Sequence, residues 1–364
     1  MRFHFKIYPF LLCFGMLLMS CKKRESDAAV RSCTIDFGLN DQSSQHPKDA
    51  VYTNLIDELT TAGIPGVSLM IEDESGIWYK SSGYADLENK TRMQPCHLGK
   101  IASVTKLFTA VMIYKLVDAG KISLDDPISN YIDQSLIGKL KNADKASIRN
   151  LLAHSSGIYD VVFDPEFILY TFNNLDKEKS YEKLLGFASG KEEAFEFNTQ
   201  RKYNQTLNHV LLAMIINKVT GQDQSIMLRD EILNPLQMKN SFIRPQENLP
   251  WNKIAKGYFD YRKEGVLQDL TPLFTGDGRG FKGIYSNVND LRLFTNALYR
   301  SKTLITANSL ASMCEIPSFD STLACAGGCR AMQINVDGHT CTWYGHPGGE
   351  VNYAAGAFYC PEKN

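Results

Sequence analysis

Ser103-Val104-Thr105-Lys106 lies in the run Lys100-Ile101-Ala102-Ser103-Val104-Thr105-Lys106-Leu107-Phe108-Thr109-Ala110-Val111-Met112, which reads as a strand or loop entering a helix. Residues i and i+3 share a helix face with Cβ atoms ~5–6 Å apart, so the Lys106 amine reaches the Ser103 hydroxyl without any tertiary contact. At a helix's first turn the uncapped N–H groups and the dipole disfavour a cation, which pushes the lysine toward its neutral form. A serine beside a neutral amine is an activated nucleophile. The same spacing also occurs on ordinary solvated surfaces, so the pattern needs support. Leu107, Val111, Met112, Leu116 and Val117 supply it: they recur at helical spacing up to Gly120 and make this helix mostly apolar and central.

The front of the chain sets a compartment. Arg2 and Lys6 precede an apolar stretch, 7–19, too short to span a bilayer, which runs into Leu18-Met19-Ser20-Cys21. This resembles the lipobox of a bacterial lipoprotein. Residues 1–20 are then expected as a signal peptide, Cys21 as the lipidated residue, and 21–50 as a polar, aperiodic tether. The protein is expected in the bacterial cell envelope, anchored by lipid in the periplasm or at the outer membrane.

Composition adds bounds. The 364 residues are 44% hydrophobic with a formal net charge of −1, so a large core is available and no basic bias points to nucleic acid. Of nine cysteines, Cys13 leaves with the signal and Cys21 takes the lipid. Cys33, Cys96, Cys314, Cys325, Cys329, Cys341 and Cys360 remain, an odd set whose connectivity is open. No histidine pair at ligand spacing backs a zinc site at Cys325 and Cys329, and no metal is expected.

Periodicity gives a coarse architecture. A helix over 52–61 ends at Gly63. Segments 66–72 and 77–80 flank Asp73-Glu74-Ser75-Gly76 as a hairpin, and 330–336 and 340–345 face each other across Asp337-Gly338. Residues 352–360 form a further strand. Between these ends, 120–274 reads as helical or loop-like, with helices over 148–154, 208–220 and 224–236. The fold expected is α/β (α+β): one antiparallel sheet built from both chain ends, flanked by helices, with an inserted all-helical lobe. Residues 51–364 form one unit large enough to be bilobed, with a cleft where the lobes meet.

Over about 51–364 the chain resembles the serine β-lactamase and penicillin-binding protein superfamily, in particular its class C β-lactamase, D,D-carboxypeptidase and esterase branch. Besides Ser103-Val104-Thr105-Lys106, the resemblance rests on Gly63-Ile64-Pro65-Gly66-Val67, Gly83-Tyr84-Ala85-Asp86, Ile122-Ser123-Leu124-Asp125-Asp126-Pro127, Ile148 to Gly157 around His154-Ser155-Ser156-Gly157, and Tyr344-Gly345-His346-Pro347-Gly348-Gly349. Each is loose alone; their order and spacing are specific.

The resemblance implies roles. His346 would border the cleft on the sheet strand, Gly348 would let substrate backbone approach, and the amides of Ser103 and Gly349 would form the oxyanion hole. His154 reads as structural. Tyr203-Asn204-Gln205 stands for the expected Tyr-x-Asn, with Gln205 as the substrate-binding amide; a spacing one residue long leaves either Tyr203 or Asn204 where the phenol belongs. The family continues past the 352–360 strand with another strand and a C-terminal helix, whereas this sequence ends at Asn364, so the domain is expected without them.

The function implied is that of a serine hydrolase. Ser103, Lys106, Tyr203 and His346 would carry an acyl-enzyme mechanism on amide or ester bonds of β-lactams, D-Ala-D-Ala peptides, D-amino-acid peptides or small esters. No cofactor is required, the partner is a small or peptidoglycan-derived substrate, and the state expected is a monomer. The alternative is a catalytically impaired ligand-binding protein of the same fold, motivated by Gln205 and the shortened end.

Overall fold

A computed structural model describes residues 30–273, 278–316, 323–336 and 338–363. The expected signal peptide and Cys21 lie outside the described residues.

Residues 30–48, expected as part of a free tether, are held against the body. Cys33 and Cys96 form a disulfide, the buried Arg31 guanidinium donates to the Trp251 carbonyl at 2.6 Å, and the Ser43 hydroxyl bridges the backbone of Tyr79. Polar composition is compatible with disorder, but a disulfide and buried backbone bonds supply the contacts such a segment lacks by itself. Cys314, Cys325, Cys329, Cys341 and Cys360 are free thiols.

Helix α1 (Asp49–Thr61) leads into β1 (Gly66–Asp73) and β2 (Gly76–Asp86), paired antiparallel with Asp73 opposite Gly76, and β3 (Thr91–Arg92) adds to β2. Strand β4 (Gly99–Lys100) leads through the Ala102–Val104 turn into α2 (Thr105–Asp118). The second lobe holds α3 (Ile148–Leu152), α4 (Pro165–Asn173), α5 (Tyr181–Gly186), α6 (Leu207–Thr220) and α7 (Gln224–Leu228). Local signals account for these helices. Ser147 and Asn150 close a capping box on α3, Asp164 and Pro165 start α4, and Gly221 at φ 72° stops α6 in a left-handed conformation.

Short strands β5 (Phe242–Ile243), β6 (Tyr258–Phe259), β7 (Gln268–Asp269) and β8 (Ile284–Ser286) follow. At two or three residues each, they carry no alternation to read, and no strands were expected there. Helices α8 (Val288–Thr295) and α9 (Ala307–Met313) then precede β9 (Ala324–Cys325), β10 (Arg330–Val336), β11 (His339–Gly349) and β12 (Ala354–Tyr359).

The strands expected in one sheet form separate ones. β1-β2-β3 is one, β12-β11-β10-β9 another, and β8 joins β4 to β5 in a third. Helix α8 packs against both β1 and β12, so the two larger sheets share a helical cover, while among the described residues no hydrogen-bonded ladder joins them. Side-chain alternation shows that a segment is a strand; it does not choose its neighbour.

Helix α2 is the seam. It is buried at 105–114 and at Leu116, packs on α6 across a core that includes Leu107, Val111, Leu211 and Ile215, and stacks Phe108 on Phe294 of α8 at 3.8 Å between ring centroids. An all-round apolar helix has to be central, because no face of it is suited to water. Its N-terminus is thereby fixed beneath β11.

Candidate active site

The nucleophile turn is anchored before α2 begins. Lys100 pairs with Tyr285 across β4 and β8, and the Ile101 amide donates to the Ile284 carbonyl at 3.0 Å. Ala102 then adopts φ 48°, a left-handed conformation that disfavours any residue with a Cβ. Such strain persists where the surroundings over-determine it, and here it aims the next side chain. Ser103 is 6% exposed.

Lys106 Nζ lies 2.9 Å from Ser103 Oγ and donates to the Phe281 carbonyl at 3.3 Å. The lysine is fully buried. Its pKa lies well below the ordinary value of 10.5, chiefly because burial removes water from the charged form, then because Lys282 is a nearby cation; the Asp160 and Glu350 carboxylates oppose the shift. Burial, more than the helix dipole invoked from sequence, holds the amine neutral.

Strand β11 crosses this turn. A Cβ at Gly348 would collide with the Ile101 carbonyl oxygen and stand 3.2 Å from the Ser103 nitrogen, so only glycine lets β11 pass so close to the nucleophile. Gly349, next along the strand, is exposed, with open space where a side chain would project. One residue further, the buried Glu350 carboxylate pairs with Lys100 at 3.2 Å. That ion pair ties the segment entering Ser103 to the segment leaving Gly349. Lys282 lies 4.0 Å from the other oxygen of Glu350.

The opposite wall is a loop. Tyr203 precedes α6, and its ring lies 4.8 Å from His154, 5.5 Å from His346 and 5.3 Å from Lys106 Nζ, measured to ring centroids. Its hydroxyl is buried without a hydrogen-bond partner, yet it is near enough to the Ser103 side chain to feel it; burial raises its pKa and Ser103 partly offsets this. Of the two candidates the sequence left open, the structure places Tyr203 beside Lys106 and His346. Asn204 points into the core, where its amide donates to the Ile158 carbonyl at 3.0 Å and its oxygen accepts from the Thr206 and Asn208 amides. The Asn204 backbone amide donates to His154 Nδ1 at 3.1 Å, so His154 packs and orients the phenol loop. Gln205 is anchored through its backbone amide, which donates to Asp160 at 2.6 Å.

His346 closes the group. Its Nδ1 makes a short contact to the Pro347 carbonyl oxygen, which only a protonated Nδ1 can satisfy, so Nε2 keeps its lone pair; Nε2 is buried without a partner. Burial first, then Lys106, hold its pKa well below the usual 6.5. Ser103, Lys106, Tyr203, His346 and Gly348 are thus brought together, whereas Gln205 is held by its backbone amide and its side chain is not placed at Ser103 by any hydrogen bond among the described residues.

Four charged residues of the site were missed from sequence: Asp160, Lys282, Arg330 and Glu350. Arg330 was within reach of the pattern. Val336 pairs with His339, and the same register of β10 on β11 puts Arg330 opposite Gly345, next to His346. The Arg330 guanidinium carbon lies 4.7 Å from the Tyr203 centroid.

A family model described as Beta-lactamase matches residues 52–364. The D-amino acid amidase of Ochrobactrum anthropi SV3, solved with L-phenylalanine amide, is 27% identical with a TM-score of 0.72 over 84% of this chain and 85% of that one. Protein flp of Staphylococcus aureus strain MW2 is 29% identical over 217 residues, 59% of this chain and 41% of flp. The N-acetylmuramyl-L-alanine amidase of Bacillus subtilis strain 168 is 24% identical over 336 residues, 81% of this chain and 74% of that protein. The match therefore spans less than half the length of flp.

Proposed function

Because the chain belongs to the Beta-lactamase family, we propose that it is a serine amidohydrolase that works through an acyl-enzyme on small amides of the D-amino-acid type, including peptidoglycan-derived peptides. The observation that carries this is the 2.9 Å approach of a fully buried Lys106 amine to Ser103 Oγ beneath Tyr203. The likeness to a D-amino acid amidase at 27% identity supports the choice of substrate class.

The geometry suits the following steps. Neutral Lys106 takes the Ser103 proton as Oγ attacks the carbonyl carbon, and the oxyanion is held by the Ser103 and Gly349 amides. When the tetrahedral centre collapses, Tyr203 protonates the leaving nitrogen and is reprotonated from Lys106 across the serine oxygen. The C–N bond breaks, acyl-Ser103 remains, and the proton count closes. In the second half a water adds to the acyl carbon while its proton passes through the Tyr203 hydroxyl to Lys106, with His346 Nε2 accepting a hydrogen bond from that water; the ester C–O bond then breaks, the acid leaves, and Lys106 returns the proton to Ser103 Oγ.

The chain is also proposed to be a lipid-anchored, monomeric envelope protein with Cys21 as the acylated residue. The Cys33–Cys96 disulfide supports an oxidising compartment. Loss of membrane association on Cys21→Ser would support the anchor; an unchanged membrane fraction would refute it.

The activity is tested with a fluorophosphonate probe and with D-alanine amide and D-phenylalanine amide as substrates. Wild type is expected to form one adduct and release ammonia over many turnovers, and Ser103→Ala to do neither. A folded wild type that forms no Ser103-dependent adduct would overturn the enzyme reading in favour of a ligand-binding protein.

A further inference from the structure

Arg330 opens β10 and is placed by its own bonds. Nη2 donates to the Leu323 carbonyl at 2.7 Å and Nη1 to Cys325 Sγ at 3.3 Å, which keeps the guanidinium on the Tyr203 ring. The other groups around that phenol come from every neighbouring element. Ser103 and Lys106 flank it at the start of α2, His154 after α3, Asp160 before α4, Cys325 on β9 and His346 on β11.

Burial drives Lys106, His154 and His346 toward their neutral forms and raises the Cys325 thiol. Burial also raises the Asp160 carboxyl. An arginine cannot give up its proton in a protein. Among the described residues touching the Tyr203 ring, Arg330 is therefore the one permanent cation.

We infer that Arg330 is a positioning residue of the reaction: it holds a fixed positive charge on the Tyr203 ring that stabilises the phenolate formed when the phenol passes its proton to the leaving group. The inference rests on the acyl-transfer reading above. It also explains how the site works with a neutral His346, since the charge on the phenol comes from β10 and not from that side chain.

The test compares Arg330→Met, which keeps an apolar stem on the ring, with Arg330→Lys, which keeps the charge. With amide substrates kcat is expected to be about tenfold lower in Arg330→Met, the scale of one lost neighbouring charge, with KM unchanged, while Arg330→Lys stays close to wild type. With the p-nitrophenyl ester of D-phenylalanine, whose leaving group needs no proton from Tyr203, kcat is expected to be the same in all three proteins. An unchanged kcat on amides in Arg330→Met, an equal loss in Arg330→Lys, or an equal loss on amide and ester overturns the inference and leaves a packing role. A wild type without Ser103-dependent turnover sinks the hydrolase reading and the inference with it, whereas a wild type that turns over and an Arg330→Met that matches it sink the inference alone.

Discussion

The two walls of the site are built in different ways. On the nucleophile wall, Ser103 and Lys106 meet because they are three residues apart in one helical turn, and burial of that turn tunes the amine. On the loop wall, Tyr203 is held by bonds between stretches far apart in the chain: Asn204 to His154 across 50 residues, Asn204 to Ile158 across 46, and Gln205 to Asp160 across 45. One wall is local geometry under tertiary pressure; the other has no local geometry at all. The nucleophile wall should therefore tolerate damage to the loop wall, while each residue of the loop wall depends on several others.

The contrast is tested most severely at Lys106. Lys106→Met is expected to lower kcat by roughly 10⁴, the upper range for a lost general base. It should also stabilise the fold. The folded state holds the amine neutral while the unfolded chain protonates it, so burial of Lys106 opposes folding at every pH below 10.5. The gain in Tm from Lys106→Met is expected to be full below the lowered folded pKa and to fade as the pH rises to 10.5. A destabilised Lys106→Met at neutral pH would show that the amine is charged in the folded state. For the wild type the same pKa sets the activity profile, which should fall as the pH drops through it.

Gly348→Ala probes the strand that crosses the nucleophile. A methyl there meets the Ile101 carbonyl and the Ser103 amide, so the oxyanion donors are pushed apart and kcat should fall by about 10²–10³. Tm should fall as well, because the methyl meets backbone and must shift either β11 or the turn at Ser103, while the pairing to β12 is kept and KM changes less than kcat.

Tyr203→Phe tests the loop wall directly. The hydroxyl loses only its long approach to the Ser103 side chain, so stability should change little, while turnover falls by about 10² as proton relay fails. The fluorophosphonate adduct still forms, since Ser103 and Lys106 are untouched. Full turnover in this variant would remove Tyr203 from the mechanism.

The smallest effect on chemistry is expected at Asn204→Ala. It leaves the Ile158 carbonyl and the Thr206 and Asn208 amides without their partner and costs about 1–3 kcal/mol of stability, read as a lower Tm. Labelling of Ser103 should survive at temperatures below the new Tm. If Asn204→Ala abolished labelling too, the two walls would be one cooperative unit.

Both hairpins, at Asp73 to Gly76 and at Asp337-Gly338, were legible because turn chemistry and alternation agree within a few residues. The helices over 207–220 and 105–118 were legible because they are long and apolar. The separation of β1-β2-β3 from β12-β11-β10-β9 was not, because edge pairing is a choice between surfaces that no window of sequence contains. Asp160 was invisible for the same reason: its partner, the Gln205 amide, and its neighbour Lys106 lie in segments that meet only in the folded chain. The docking of residues 30–48 was masked by a polar composition that a disulfide overrides.

Local covalent spacing placed a serine within reach of a lysine, ordered the motifs around it, and paired the strands joined by short turns. Those facts follow from helix pitch and turn geometry and need no distant contact. Tertiary structure decided everything that depends on a dielectric or on a long-range neighbour. It stripped water from Lys106, left His346 neutral with Nε2 free, chose Tyr203 over Asn204, and set Arg330 on the phenol. Charge state depends on which atoms surround a group in space, and a linear order of residues does not specify those atoms.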